Sequence, residues 1–147
     1  MDQMETIQRM YDHLHWANER ILEALKSSEN EEAIRLFSHI LFAEKVWFTR
    51  LQGLDSSHLP IWSDIDLDSC AELIKENQKT ITKFLQSADR DSIISYKNSK
   101  GIEFKNSVRD VLTHVALHGQ YHRGQINTRL RISGFEPVNV DYITFVR

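Results

Sequence analysis

The sequence predicts an all-α protein, a four-helix bundle with a small β-hairpin in the crossover before helix 4. Apolar residues recur at three- and four-residue steps over four long segments, a spacing that places them on one face of a helix. The chain contains only two prolines and five glycines, so it is poor in residues that interrupt helices. With 147 residues it is expected to form a single domain, residues 1–147, whose core needs no disulfides.

The first three helices are predicted at about residues 3–26, 31–52 and 67–87. Asn30 is the expected N-cap of the second helix, because its side chain can accept a hydrogen bond from a free backbone N–H of the first turn. Gly53 is expected to end that helix. The segment between the second and third helices is rich in Gly, Ser, Asp and Pro, which predicts a loop.

A hairpin and a fourth helix complete the predicted bundle. Two short alternating runs, Ile93–Lys97 and Ile102–Lys105, flank "NSKG", which is typical of a hairpin. Asn106 or Ser107 is expected to cap the fourth helix, which should run to about Ile132. The last ten residues are expected to form an extended tail packed over the bundle.

Composition excludes several classes of function. Apolar residues make up 41% of the chain and charged residues 27%, an ordinary balance for a soluble protein. The formal charge of -3 offers no basic face for nucleic acid, and no apolar run is long enough to span a membrane. The N-terminus lacks an apolar signal segment, and the single cysteine, Cys70, allows no intramolecular disulfide. A cytoplasmic location is therefore expected, with simple packing as the role of Cys70.

Three of the seven histidines lie four residues apart in "THVALHGQYHRGQI". On a helical wheel, the inward stripe that begins at Val108 continues onto His118 and His122, both within roughly 20° of its centre, whereas His114 lies about 60° away. His114 and His122 would be about 12 Å apart along the axis, which is too far for one ion. At most one adjacent pair can therefore bind a single metal, and the stripe favours the i,i+4 pair of His118 and His122.

A metal site needs a further ligand from another helix, and His13, His15, His39 and His58 are the candidates. His39 is the best of them, because it lies inside the most apolar helix, "LFSHILFAEKVW", where both ring nitrogens must find partners. A single inward histidine is more often a hydrogen-bonded core residue than a ligand. The i,i+4 pair together with His39 shifts that balance toward a metal site.

Two charged residues fall on apolar arcs of the predicted helices. Glu44 should be paired or have a raised pKa. It points about 140° away from His39 on the wheel, which favours a structural partner, either Arg123 or a polar group of helix 1, over a role as a base. Arg129 lies on the predicted inward stripe, where it would meet an anionic substrate or, as is more frequent, form a salt bridge at the helix end.

Four stretches, in order along the chain, resemble the DinB-like (DinB/YfiT) superfamily. "HVALHGQYHRGQI" resembles its last helix, with a His-x3-His pair followed by Arg-Gly-Gln. "YDHLHWANERIL" resembles its first helix, "SHILFAEKVWFTRLQG" its second, and "GFEPVNVDYITFVR" its closing Gly-x2-Pro-x3-Asp stretch. The resemblance extends from about residue 11 to residue 147.

The resemblance implies a four-helix bundle, often a homodimer, with a divalent metal held by His39, His118 and His122. Imidazole suits zinc, nickel, iron and copper alike, and zinc or nickel is the favoured choice. Three neutral imidazoles would leave a coordination position open, as in catalytic sites. The ion would then lower the pKa of bound water or bind a low-molecular-weight thiol as its thiolate. The leading hypothesis is a thiol-dependent S-transferase acting on a small-molecule substrate. A metal-dependent hydrolase and a non-catalytic metal or small-molecule binding module are the alternatives.

Overall fold

The computed structural model describes residues 3–147 and confirms the predicted fold class, a helical bundle with a small hairpin before the fourth long helix. The two strands pair antiparallel, with Ile93 opposite Ser107 and Lys97 opposite Glu103. The elements of the described chain are α1 Gln3–Ser28, α2 Glu31–Leu51, α3 Leu67–Ser87, β1 Ile93–Lys97, β2 Glu103–Ser107, α4 Val108–Ile132 and α5 Tyr142–Val146.

The helix ends follow local sequence signals. Asn30 caps α2 as predicted, and its side chain accepts a hydrogen bond from the backbone N–H three residues later at 2.9 Å. Ser107, rather than Asn106, caps α4 in the same way at 3.1 Å. Gly53 and Gly134 follow the ends of α2 and α4 with φ of +73° and +84°. That left-handed backbone favours glycine, which explains why these helices end there.

The four long helices pack in an up-down-down-up order, which the two apolar clusters of the core reveal. The first halves of α1 and α4 meet the second halves of α2 and α3 in one cluster, which includes Phe48 and Ile81. The remaining halves form the other cluster, which includes Phe37 and Leu25. Because α2 and α3 are parallel, the loop at 52–66 has to return along the side of α2.

A layer of four polar side chains separates the two apolar clusters, and we call it the buried polar network. Glu44 accepts hydrogen bonds from Asn18 at 2.9 Å and from Asn77 at 3.4 Å. Asn18 in turn accepts a hydrogen bond from Arg123 at 2.8 Å. Burial raises the pKa of Glu44 to about 7, and these polar neighbours oppose that rise. Each long helix contributes one member, namely Asn18, Glu44, Asn77 and Arg123.

The inward face of α4 differs from the prediction in its second half. The buried stripe passes through Gly119, Arg123 and Ile126, whereas His118 and His122 lie beside it and are only half-buried. Steps of three and of four residues are equally helical, so the wheel alone cannot choose between these two continuations. The choice depends on the other helices, because Asn18 and Glu44 offer Arg123 a polar environment inside the core.

The C-terminal tail packs over the bundle as predicted, but it is not extended throughout. Val140 is buried in the apolar cluster that contains Phe37. The backbone of Val138 exchanges two hydrogen bonds with the side chain of Asn127, at 2.7 and 2.8 Å. The expectation of an extended tail was wrong for Tyr142–Val146, which forms the short helix α5. Aromatic contacts with α1 stabilise this turn, since the rings of Phe145 and Trp16 lie 5.4 Å apart.

None of the helices between residues 3 and 147 combines the length and the apolar character that crossing a bilayer requires.

Candidate metal centre

His39 of α2 and His118 and His122 of α4 converge at the surface between these two helices, and we call them the histidine triad. The Nε2 atom of His118 lies 3.3 Å from that of His39 and 3.1 Å from that of His122. One ligand nitrogen from each residue lies within 4.8 Å of the others, so the three could hold a metal ion. His39 is buried, and the other two rings are half-buried, so the cluster lies at the edge of the core, within reach of solvent.

In two of these rings, the Nδ1 atom, which points away from the centre of the triad, makes a hydrogen bond that holds the ring in place. His39 Nδ1 donates to the backbone carbonyl of Ile61 at 2.8 Å, because a carbonyl can only accept. His122 Nδ1 donates to the side-chain oxygen of Gln125 at 2.7 Å. Each bond leaves a lone pair on the Nε2 atom that faces His118. Partners of this kind orient metal-binding imidazoles and fix their tautomer.

Burial favours the neutral form of two rings of the triad, those of His118 and His39. Desolvation and, to a smaller extent, repulsion from His122, His39 and His114 together lower the pKa of His118 to about 4. Burial also lowers the pKa of His39, although the bond to Ile61 opposes the shift. Neutral imidazole is the form that binds metal ions, so protons do not compete strongly for the nitrogens of His118 and His39 near pH 7.

The donor set fits a divalent cation. Metal–nitrogen bonds of about 2.0–2.1 Å in a tetrahedral arrangement place ligand nitrogens about 3.3 Å apart. The observed separations of 3.3 and 3.1 Å lie close to that value. Without an ion, His118 Nε2 faces two lone pairs and has at most one proton to offer them. A shared cation would satisfy all three nitrogens at once.

The returning loop forms one wall of the site. Arg50 donates to Ser56 at 3.1 Å near the end of α2. One residue before His39, Ser38 donates to the backbone carbonyl of Ser63. Between these two points, the indole of Trp62 stacks on the His39 ring, with centroids 3.7 Å apart and planes 6° from parallel. This stacking restricts rotation of the His39 ring.

The other candidate histidines lie elsewhere. His13 is buried away from the triad, and its Nε2 contacts the carbonyl oxygen of Val140 at 2.7 Å. His15 pairs with Glu19 on the surface of α1, and His58 is exposed in the loop. His114 borders the triad, with its ring 5.6 Å from that of His118, but it lies outside the group that could hold an ion.

Three further expectations have clear outcomes. Glu44 has the structural partner on helix 1 that was predicted, and its oxygens face Asn18 and Asn77. Arg129 is exposed, so its placement on the inward stripe was wrong; it forms the predicted alternative, a salt bridge, with Glu32 at 3.1 Å. Cys70 packs in the core as expected, and burial raises the pKa of its thiol to about 12, which leaves it a poor nucleophile.

Sequence reasoning missed the residues that support the triad. Gln125 could have been found, because it lies one helical turn after His122 and neighbours at i,i+3 share a helix face. Ile61 and Trp62 gave no local signal. They reach His39 only because the loop returns along α2, and no periodicity describes that path.

Comparison with known proteins agrees with the resemblance noted in the sequence. The model of the family described as DinB family matches residues 1–147. Protein DinB of Bacillus subtilis (strain 168) is 25% identical over 154 aligned positions, which cover 91% of this chain and 90% of that protein. The likeness therefore extends over the whole fold rather than over the histidine helix alone.

Proposed function

This chain belongs to the DinB family, and on that premise we propose that it is a metal-dependent enzyme that transfers a low-molecular-weight thiol to an electrophilic small molecule. His39, His118 and His122 are the proposed ligands of a divalent cation, zinc or nickel. The observation behind the proposal is the convergence of three Nε2 atoms whose separations, 3.1 and 3.3 Å, suit a shared ion.

The chemistry of the site would come from an ion with an open coordination position, which acts as a Lewis acid and lowers the pKa of a thiol or water that it binds. The protein's own residues orient and shield that position. Ile61 and Gln125 hold two of the ligand rings by their Nδ1 atoms. Trp62 covers one face of His39 and limits the approach of solvent from that side.

The placement of Glu44 favours thiol transfer over hydrolysis. Metal-dependent hydrolysis commonly uses a carboxylate beside the ion as general base. Within residues 3–147, Glu44 is the only buried carboxylate, and Asn18 and Asn77 bond its two oxygens inside the buried polar network. A thiol needs no such base, because its pKa is already close to neutral and cation binding lowers it further.

The metal proposal is tested by elemental analysis of the purified protein and of four single variants. We expect His39→Ala, His118→Ala and His122→Ala to lose the metal, because each removes one of three ligands. His114→Ala is the matched control, since it removes a neighbouring imidazole that lies outside the triad. Full metal retention by His39→Ala would refute the proposed ligand set.

The reaction is tested separately with cysteine as the thiol and 1-chloro-2,4-dinitrobenzene as the electrophile. We expect turnover that disappears with chelator and in His118→Ala and that returns when metal is restored to the wild type. Cleavage of p-nitrophenyl acetate without thiol would instead identify a hydrolase. Metal binding with neither activity would identify a non-catalytic binding module.

Assembly and location belong to the same proposal. We expect a homodimer, on the basis of the family resemblance, and a cytoplasmic location, on the basis of the single buried cysteine. Light scattering coupled to size-exclusion chromatography measures the mass in solution, and a monomer at micromolar concentration would contradict the first expectation.

A further inference from the structure

A cleft lies beside α2, on the same face of that helix as His39, and we call it the Arg50 cleft. It has a volume of about 600 Å³, within the range of about 300–1,000 Å³ that is usual for small-molecule sites. The returning loop forms one wall and the hairpin forms the other. The residues of its lining that matter here are Val46, Arg50, Asp55, Ile61, Tyr96 and Lys97.

Arg50 is a buried cation without an acidic partner. Its side chain is 8% exposed, yet none of the ion pairs among residues 3–147 includes it. Its Nε donates to Ser56 at 3.1 Å, and its guanidinium carbon lies 4.7 Å from the Trp47 ring centre and 5.4 Å from that of Tyr96. Buried charges are normally paired, so the arrangement leaves a positive charge uncompensated.

Arg50 lines the cleft, and the outer edge of its guanidinium is available to a ligand. Neither Nη atom is bonded within the described chain, and neither is sealed from solvent. Asp55 lines the same cleft, but its oxygens accept hydrogen bonds from the backbone and hydroxyl of Ser57, both at 2.9 Å. Lys97 also lines the cleft. The hydrogen bonds from Ser57 and, to a smaller extent, the positive charge of Lys97 lower the pKa of Asp55. The charges of Lys97 and Asp55 therefore offset each other, and Arg50 supplies the net positive charge. Two aromatic faces and Ser56 hold the arginine in place, so its donors are oriented before any ligand arrives.

We propose that the Arg50 cleft binds the carboxylate or phosphate group of a small anionic molecule, with Arg50 as its anchor. A planar guanidinium with two free nitrogens matches the paired oxygens of either group. The anion site stands independently of the proposed enzyme activity. Its use as a substrate anchor, argued next, rests on the proposed function.

The cleft leads toward the histidine triad. Val46 and Arg50 follow His39 by seven and eleven residues, about two and three helical turns, so all three lie on one face of α2. Ile61 lines the cleft, and its carbonyl accepts the hydrogen bond from His39. A molecule anchored at Arg50 would need to extend about 16 Å along the helix axis to reach the level of His39. The anchor therefore selects an elongated substrate with an anionic end remote from the reacting atom.

The test is an NMR titration of the ¹⁵N-labelled full-length protein with inorganic phosphate and, separately, with succinate, at constant ionic strength set with chloride. We expect saturable shifts of the Arg50 Nε–H signal and of amides in residues 53–61 and 95–101. A response to phosphate, to succinate or to both supports the anion site and identifies the preferred group. Shifts that are not saturable, or that lie outside these segments, would overturn the proposal.

Three variants assign the response to Arg50. Arg50→Gln should weaken binding by about tenfold or more. Arg50→Lys should weaken it by a smaller factor, because lysine keeps the positive charge but lacks the two parallel N–H donors of the guanidinium. Arg35→Gln is the matched control, since Arg35 also stacks on a tryptophan but lies outside the cleft, and it should bind within about twofold of the wild type. Unchanged affinity in Arg50→Gln would overturn the proposal. If that variant does not fold, unchanged affinity in Arg50→Lys would overturn it instead.

Metal content measured on the same samples separates this inference from the proposed function. Normal metal in Arg50→Gln with loss of the anion response supports the cleft as a distinct site. A wild type that holds no metal but still shows the localised anion response would refute the metal centre and leave the anion site standing.

Discussion

The histidine triad and the buried polar network both bridge α2 and α4, but they satisfy their polar atoms in different ways. In the network, the Glu44 carboxylate meets two amide donors, and an amide oxygen of Asn18 meets the Arg123 guanidinium. Only Arg123 Nη2 has no partner there within the described chain. In the triad, three identical rings point the same type of atom at one another.

The difference lies in the complementarity of the groups rather than in their burial. The network combines acceptors with donors, so it is nearly complete within the chain and can lock the register of four helices. In the triad, two lone pairs face one nitrogen that carries at most one proton, so the three rings cannot all satisfy one another, and a cation from outside the chain would complete the cluster. Whether the donors and acceptors of a buried polar cluster pair with one another therefore indicates whether the cluster has a structural role or binds a ligand.

The largest effect is expected for Glu44→Ala, which leaves the buried amide donors of Asn18 and Asn77 without their acceptor and opens a cavity in the core. A buried donor without an acceptor costs about 1–3 kcal/mol, so two such donors and the lost packing should together cost about 3–5 kcal/mol. Denaturant unfolding with chelator present should show this loss, whereas metal bound per folded chain should not change. His118→Ala should show the reverse, with lost metal and a loss of about 1 kcal/mol or less in the metal-free protein. If Glu44→Ala lost metal without losing stability, the division between the two clusters would be wrong.

The pH dependence of stability gives a somewhat smaller effect. The pKa of Glu44 is raised from 4.5 to about 7, so its contribution is fully present below pH 4.5 and is lost as the pH rises through 7. The unfolding free energy of the wild type relative to Glu44→Gln should therefore fall by up to about 3 kcal/mol between pH 4.5 and 7.5. His118, whose pKa is lowered to about 4, has the opposite dependence, but it is present in both proteins and cancels. Parallel pH profiles would show that Glu44 does not titrate in this range.

The smallest effect separates two glycines of α4. A Cβ at Gly119 would lie 3.1 Å from Arg123 Nη1, and that guanidinium is held by bonds to Asn18 and Gln120. Gly119→Ala should therefore destabilise the fold by about 1 kcal/mol, since the clash outweighs the gain in helix propensity. Gly124→Ala meets open space and should stabilise the fold by about 0.5–1 kcal/mol. Thermal unfolding of the two variants measures the difference. Equal shifts in melting temperature would mean that Arg123 moves aside to accommodate the new methyl group.

The sequence predicted what depends on neighbouring residues along the chain. The helix caps at Asn30 and Ser107 and the hairpin all follow from short-range patterns. The pairing of His118 with His122 also follows, because residues four apart on a helix always lie close together. His39 was predicted for a related reason, since an imidazole inside an apolar helix must find partners for both ring nitrogens.

Only the tertiary structure decided how the helices share their polar residues. A helical wheel cannot choose between steps of three and four, so it placed His118 and His122 in the core stripe that Gly119 and Arg123 occupy. The roles of Asn77, Trp62 and Arg50 depend on segments that are distant in sequence and adjacent in the fold. The pattern along one helix determines which side chains share a face, but the chemistry of a buried polar group depends on what the other helices bring to it.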